Sequence, residues 1–83
     1  MKLTVKTTGL LGKYLPQGSS RNKGVVEIDD NSTICQLIEH LGIPDNGRCH
    51  VTINGSMVQK DQWHLRPLTS TDDIVLMAPI SAG

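Results

Sequence analysis

Ser32-Thr33-Ile34-Cys35-Gln36-Leu37-Ile38-Glu39-His40-Leu41-Gly42, residues 32–42, reads as an amphipathic helix set among strand-like segments. Ile34, Leu37, Ile38 and Leu41 recur at i, i+3, i+4 and i+7 and so line one stripe at the helical period. Gln36, Glu39 and His40 fall on the other side. Asp29-Asp30-Asn31-Ser32 makes a turn and a helix start, where the side-chain oxygen of Asn31 or Ser32 can accept from an exposed N–H of the first turn. Gly42 is expected to close the helix in the left-handed region, and Pro44 prevents its continuation.

Toward the N-terminus, Leu3-Thr4-Val5-Lys6-Thr7 alternates apolar and polar residues and is rich in β-branched types, the pattern of a half-buried strand. Gly9 breaks it, Leu10 to Leu15 reads as a short helical turn stopped by Pro16, and residues 17–24 have the composition of a polar loop. Val25-Val26-Glu27-Ile28 is a second strand, placed to pair with the first as a hairpin with a long connection. Beyond the helix, Asp45-Asn46-Gly47 forms a loop, and His50-Val51-Thr52-Ile53 is a strand with Val51 and Ile53 on one face. Asn54-Gly55 is a hairpin signal, because both central turn positions can take positive φ, and Ser56-Met57-Val58 is the return strand. A longer connection, Lys60 to Thr71, carries Trp63, Leu65 and Leu68; Asp72-Asp73 then turns into Ile74-Val75-Leu76-Met77. That last run is apolar on both faces, as a central strand would be. The order β-β-α-β-β-β predicts an α+β domain: a mixed sheet of about five strands wrapped on one main helix, with the first and last strands parallel at its centre. Residues 1–78 are assigned to this single domain and residues 79–83 to a flexible tail.

The composition narrows the function. With 83 residues there is one domain, and a chain of this size buries only about 60% of its unfolded surface. Tyr14 and Trp63 are its aromatic residues and Phe is absent, so Leu, Ile, Val and Met must fill the interior. Little room remains for an internal catalytic cavity, which favours a carrier, an adaptor or a subunit over a self-sufficient enzyme. Formal net charge is +0, with scattered lysines and arginines and no basic run of the kind nucleic-acid binding needs. No stretch approaches the roughly 20 apolar residues of a membrane span, and the alternating N-terminus is unlike a signal peptide, so a cytoplasmic protein is expected. Cys35 and Cys49 are too few and too far apart for a disulfide framework or a zinc site; they read as reduced, partly buried thiols, with a redox switch as the alternative. His40, His50 and His64 share no metal-ligand spacing, so no metal is expected. Asp29-Asp30 and Asp72-Asp73 adjoin turns, and turn and cap chemistry accounts for them better than acid–base catalysis. Trp63 either covers one end of the core or anchors an interface.

The last strand leads into Pro79-Ile80-Ser81-Ala82-Gly83, which loses bulk step by step and stops on glycine. A thin tail on a terminal glycine suits a carboxylate that enters another protein's active site; a frayed end is the alternative reading. Pro79 stops the strand and stiffens the tail's exit, or only the former. Met77 and Ile80 are either docking residues for a partner or packing residues.

Taken in order, these segments resemble the β-grasp, ubiquitin-like fold, and within it the MoaD/ThiS family of sulfur carriers. The resemblance rests on Gly9-Leu10-Leu11-Gly12-Lys13-Tyr14-Leu15, on Leu41-Gly42-Ile43-Pro44, on Val51-Thr52-Ile53-Asn54-Gly55, and on the apolar strand, proline and small-residue tail. The family implies that an E1-like adenylating enzyme uses ATP and magnesium to convert the Gly83 carboxylate to an acyl-adenylate, and that a persulfide sulfur then leaves a thiocarboxylate. The carrier has no catalytic residues of its own: Gly83 reacts, Ala82 and Ser81 are spacer, and Pro79, Ile80 and Met77 are candidate docking residues. A sulfur-accepting synthase large subunit is implied as a second partner. The Leu-rich segment and the Pro-Ile-Ser-Ala-Gly ending resemble the molybdopterin type, which is favoured, while Met57 to Trp63 resembles the thiamin type. The family usually ends in Gly-Gly; Ala82 adds a methyl and narrows the tail's backbone freedom. A ubiquitin-like protein modifier, or a diverged β-grasp binding module without tail chemistry, are the alternatives. An exposed sheet edge and an apolar docking face lead us to expect weak self-association without a partner.

Overall fold

The computed structural model describes residues 1–16, 20, 22–43 and 49–78. Its elements are β1 (Lys2–Thr7), a 3-10 helix (Gly9–Tyr14), β2 (Lys23–Glu27), α1 (Ile34–Leu41), β3 (His50–Ile53), β4 (Ser56–Val58), a second 3-10 helix (Lys60–Gln62) and β5 (Ile74–Met77). The strands form a five-stranded sheet in the order β2-β1-β5-β3-β4. β1 and β5 run parallel; β1–β2, β3–β4 and β3–β5 are antiparallel. This is the mixed sheet with one helix and a central parallel pair that the sequence predicts.

The register explains which residues are inside. Cross-strand partners share a face of the sheet. Leu3 pairs with Val26, Val5 with Ile74, Thr7 with Leu76, Val51 with Leu76 and Ile53 with Ile74. All of these side chains are buried, and the apolar ones make one core with Leu15, Ile34, Leu37, Ile38, Ile43, Trp63 and Leu68. α1 turns its predicted stripe into that core, with Leu41 half-buried at the end.

Local chemistry places the helix ends. Thr33 is the N-cap: its Oγ1 accepts from the Gln36 N–H while the Gln36 Oε1 accepts from the Thr33 N–H, a reciprocal capping box. The expected caps do other work. Ser32 is buried and its hydroxyl donates back to the Asp29 carbonyl, and Asn31 takes a positive φ of 66° in the turn. Gly42 ends the helix at φ 76°, donating to the Glu39 and Ile38 carbonyls. At the hairpin, Asn54 and Gly55 have φ of 54° and 84°, as the turn requires. β2 starts two residues earlier than its composition suggests, because β1 pairs Val5 with Gly24 and Lys6 with Lys23.

Candidate functional site: the root of the tail and the outer face of the sheet

β5 is the strand that positions everything of interest, and its entry is pinned before it begins. Asn54, in the β3–β4 turn, donates its side-chain amide to Asp72 Oδ1 at 3.0 Å and accepts from the Asp73 N–H at 2.8 Å. Asp72 Oδ2 accepts from the Thr69 N–H at 2.9 Å, and the Arg66 guanidinium lies 3.9 Å from Oδ1. Asp72 is only 9% exposed. Burial acts to raise its pKa, but the bond from Thr69, the bond from Asn54 and the Arg66 charge together outweigh it and hold the carboxyl below its ordinary value. Both aspartate pairs thus sit at turns, and Asp72 serves as a structural acceptor for the loop into β5.

The exit of β5 is held as closely. The Thr8 N–H donates to the Leu76 carbonyl at 3.1 Å, and the Thr8 hydroxyl accepts from the Ala78 N–H at 2.8 Å. Gly9 follows at φ 57°, and a Cβ placed there would lie 3.2 Å from the Ala78 Cβ. The turn after β1 therefore cradles Ala78, the last residue before the tail. Pro79, Ile80, Ser81, Ala82 and Gly83 lie outside the described residues, so of the predicted site residues Met77 alone has a position in the structure. It is half-buried at the end of β5, opposite the exposed His50 of β3.

Met77 belongs to the sheet face turned away from α1. Across that face one row runs Lys23, Lys6, Val75, Thr52, Met57, touching every strand. Val75 and Thr52 are half-buried, Met57 is 58% exposed, and Val25 beside Thr4 is 56% exposed. Lys6 pairs with Asp73 at 3.7 Å. The result is a row with Lys23 and Lys6 at one end and Val75, Thr52 and Met57 toward the β4 edge.

On the helix side, Cys35, Ile38, Glu39, Gly42, Ile43 and Trp63 line an open recess of about 490 Å3. Trp63 is buried in its floor and donates its indole N–H to the Val58 carbonyl at 3.1 Å, which selects the core-covering reading over the interface anchor. Both cysteines are free. Cys35 is exposed on α1, not partly buried as expected, because it stands off the apolar stripe; Cys49 is half-buried, and burial pushes its thiol pKa up. Among the described residues no group of three or more His, Cys, Asp or Glu is placed to hold a metal ion, and no helix is long and apolar enough to cross a membrane.

The sequence reading missed Thr8. A threonine just before a helical turn reads as an ordinary N-cap, and nothing local points to a partner in the final strand.

Comparison with known proteins adds to this geometry. The model of the ThiS family matches residues 17–83. No curated protein matches the chain. Among solved structures, the complex of subunits 1 and 2 of molybdopterin-converting factor from Helicobacter pylori contains a chain 17% identical, with all of both chains covered and a TM-score of 0.60. Small archaeal modifier protein 1 of Haloferax volcanii is 17% identical over 95% of this chain and 98% of its own, with a TM-score of 0.67. A second structure, of SAMP1 from Haloferax volcanii, is 18% identical over the whole of both chains, with a TM-score of 0.65. At these identities the likeness is one of fold, and it extends over β1 and the first 3-10 helix, which the family model leaves out. Because the family model runs from residue 17 to residue 83 and so covers β2, α1, the β3–β4 hairpin and β5, this chain belongs to the ThiS family.

Proposed function

We propose that the chain is a sulfur carrier whose working group is the Gly83 carboxylate. The observation that carries this reading is the central position of β5, which is paired along both edges and leads into the tail from the middle of the sheet, together with a family match that runs through residue 83. A carboxylate is a poor electrophile, so activation must come from outside. An E1-like adenylating enzyme transfers AMP from ATP, with magnesium, to Gly83 and releases pyrophosphate. The terminal sulfur of a protein persulfide attacks the acyl carbon and expels AMP. A second thiol then cleaves the S–S bond, leaving the thiocarboxylate on Gly83 and a disulfide on the donor. The chain supplies reach and recognition, and the chemistry belongs to its partners. Met77, with Val75 and Met57 on the outer face, serves as the docking surface; Pro79 and Ile80 extend it toward the tail, and Ser81 and Ala82 are spacer.

The sulfur acceptor is taken to be the large subunit of a molybdopterin-type synthase, with thiamin-type use as the second possibility. The reactions are placed in the cytoplasm, and the short β4 edge with exposed Met57 is the expected seat of weak self-association when no partner is present.

Intact-protein mass spectrometry after incubation with ATP, a sulfur donor and each adenylating enzyme of the source organism tests the reading. A mass gain equal to one oxygen replaced by sulfur, lost on deletion of Gly83, is the expected result. Covalent joining of the chain to lysines of other proteins would instead make it a modifier. No reaction, beside a Gly-Gly-ended control that reacts, would reduce it to a binding module and put the blame on Ala82 or on the tail as a whole.

A further inference from the structure

Thr8 stands where an N-cap residue stands, in extended conformation at φ −123° and ψ 157° before the 3-10 helix Gly9–Tyr14, yet its side chain makes no bond to that helix. A threonine in this position ordinarily satisfies an exposed N–H of its own first turn, as Thr33 does at α1. Here the hydroxyl is committed instead to the Ala78 N–H, 70 residues away in sequence and 2.8 Å away in space. The main chain of the same residue holds Leu76, and Gly9 leaves room for Ala78 where a Cβ would crowd it. Residues 76 and 78 are thus gripped by one residue of the β1 turn, immediately after β5 ends at Met77.

We propose that Thr8 is a positioning residue: its hydroxyl fixes Ala78 and so sets the place and direction from which the reactive tail leaves the domain. The inference rests on the tail chemistry proposed above. From a fixed Ala78, residues 79–83 span at most about 16–18 Å when extended. A partner's active site must lie within that reach of the docked domain, and a tail whose root is already ordered has less freedom to lose on entering it. The grip is the same before and after acyl transfer, so its loss weakens binding of the carrier without slowing the bound reaction, which appears in KM and not in kcat.

The test compares the wild-type chain with Thr8→Val, which keeps the β-branched shape and removes the acceptor, and with Thr8→Ser, which restores it. Amide hydrogen exchange at Ala78 is measured on the free proteins, and KM and kcat for the carrier are measured by pyrophosphate release with the enzyme that activates the wild type. The expected result is faster Ala78 exchange in Thr8→Val, a KM raised about two- to tenfold, kcat unchanged, and recovery of both in Thr8→Ser. Unchanged Ala78 exchange in Thr8→Val overturns the proposal, as does altered exchange with unchanged KM. A drop in kcat that follows a drop in Tm, with no recovery in Thr8→Ser, also overturns it in favour of a merely structural role. If no enzyme activates the wild-type chain, the tail chemistry itself has failed, while the exchange measurement still decides whether Thr8 holds the tail root.

Discussion

The two faces of β5 differ more than its near-uniform sequence suggests. Ile74 and Leu76 point toward α1 and are fully buried; Val75 and Met77 point the other way and are half-buried. All four side chains are apolar, so hydropathy does not separate them. What separates them is the presence of a helix on one side. The inner face is closed and contributes stability, whereas the outer face keeps apolar area in contact with water that a docked partner would release. A carrier needs both, because it must be folded when alone and still have surface left to recognise.

The contrast is sharpest at Leu76. Leu76→Ala removes a fully buried side chain from the centre of the core and is expected to cost about 2–5 kcal/mol in urea unfolding. A loss under about 1 kcal/mol would mean that the inner face can collapse around the gap, and the distinction between the faces would fade. Next comes the entry to β5. Asp72→Ala leaves the Thr69 N–H and the Asn54 amide without their acceptor and should cost about 1–3 kcal/mol.

Asp72 also predicts a pH dependence. Its folded pKa is lowered, so its contribution is fully present above the unfolded carboxylate pKa of about 4 and is lost as pH falls through the lower folded value. Wild-type stability should therefore decline on acidification through that window, and Asp72→Asn should flatten the decline. An identical acid limb in both proteins would show that the Asp72 carboxylate is not held as the structure has it.

A smaller effect is expected at the helix start, where Thr33→Ala should lose about 1 kcal/mol by thermal or chemical unfolding. Smallest in stability, and most informative about the outer face, is Met57→Glu. It should leave unfolding within about 0.5 kcal/mol of wild type while raising the KM for the chain with any enzyme found to activate the wild type. If it destabilises the domain as Leu76→Ala does, the outer face is structural; if KM does not move, the partner docks elsewhere.

What could be read in the sequence was what adjacent residues decide. Ile34, Leu37, Ile38 and Leu41 fix the buried side of α1 by spacing alone, and Asn54-Gly55 fixes the hairpin by conformational permission. The central place of β5 was legible because its run of apolar residues leaves no polar side. Choices among equivalent neighbours were harder. Asn31, Ser32 and Thr33 all carry a capping oxygen, and Gln36 selects Thr33 because only that pair closes the reciprocal bond. The start of β2 was hidden in a polar stretch, since its extension depends on free backbone groups of β1 and not on Lys23 or Gly24 themselves. Of the candidate site, the mooring of Ala78 was not readable. Thr8 and Ala78 are unremarkable singly, and their bond exists only because β1 and β5 end side by side.

That side-by-side arrangement also bears on how the protein comes into being. β1 pairs with β2, and β3 with β4, within hairpins that can form as soon as each is synthesised; β5 is laid last, between β1 and β3. Until it arrives the two hairpins have no strand to join them. A chain cut short before residue 74 would lack the middle of its sheet and leave the two hairpins unjoined.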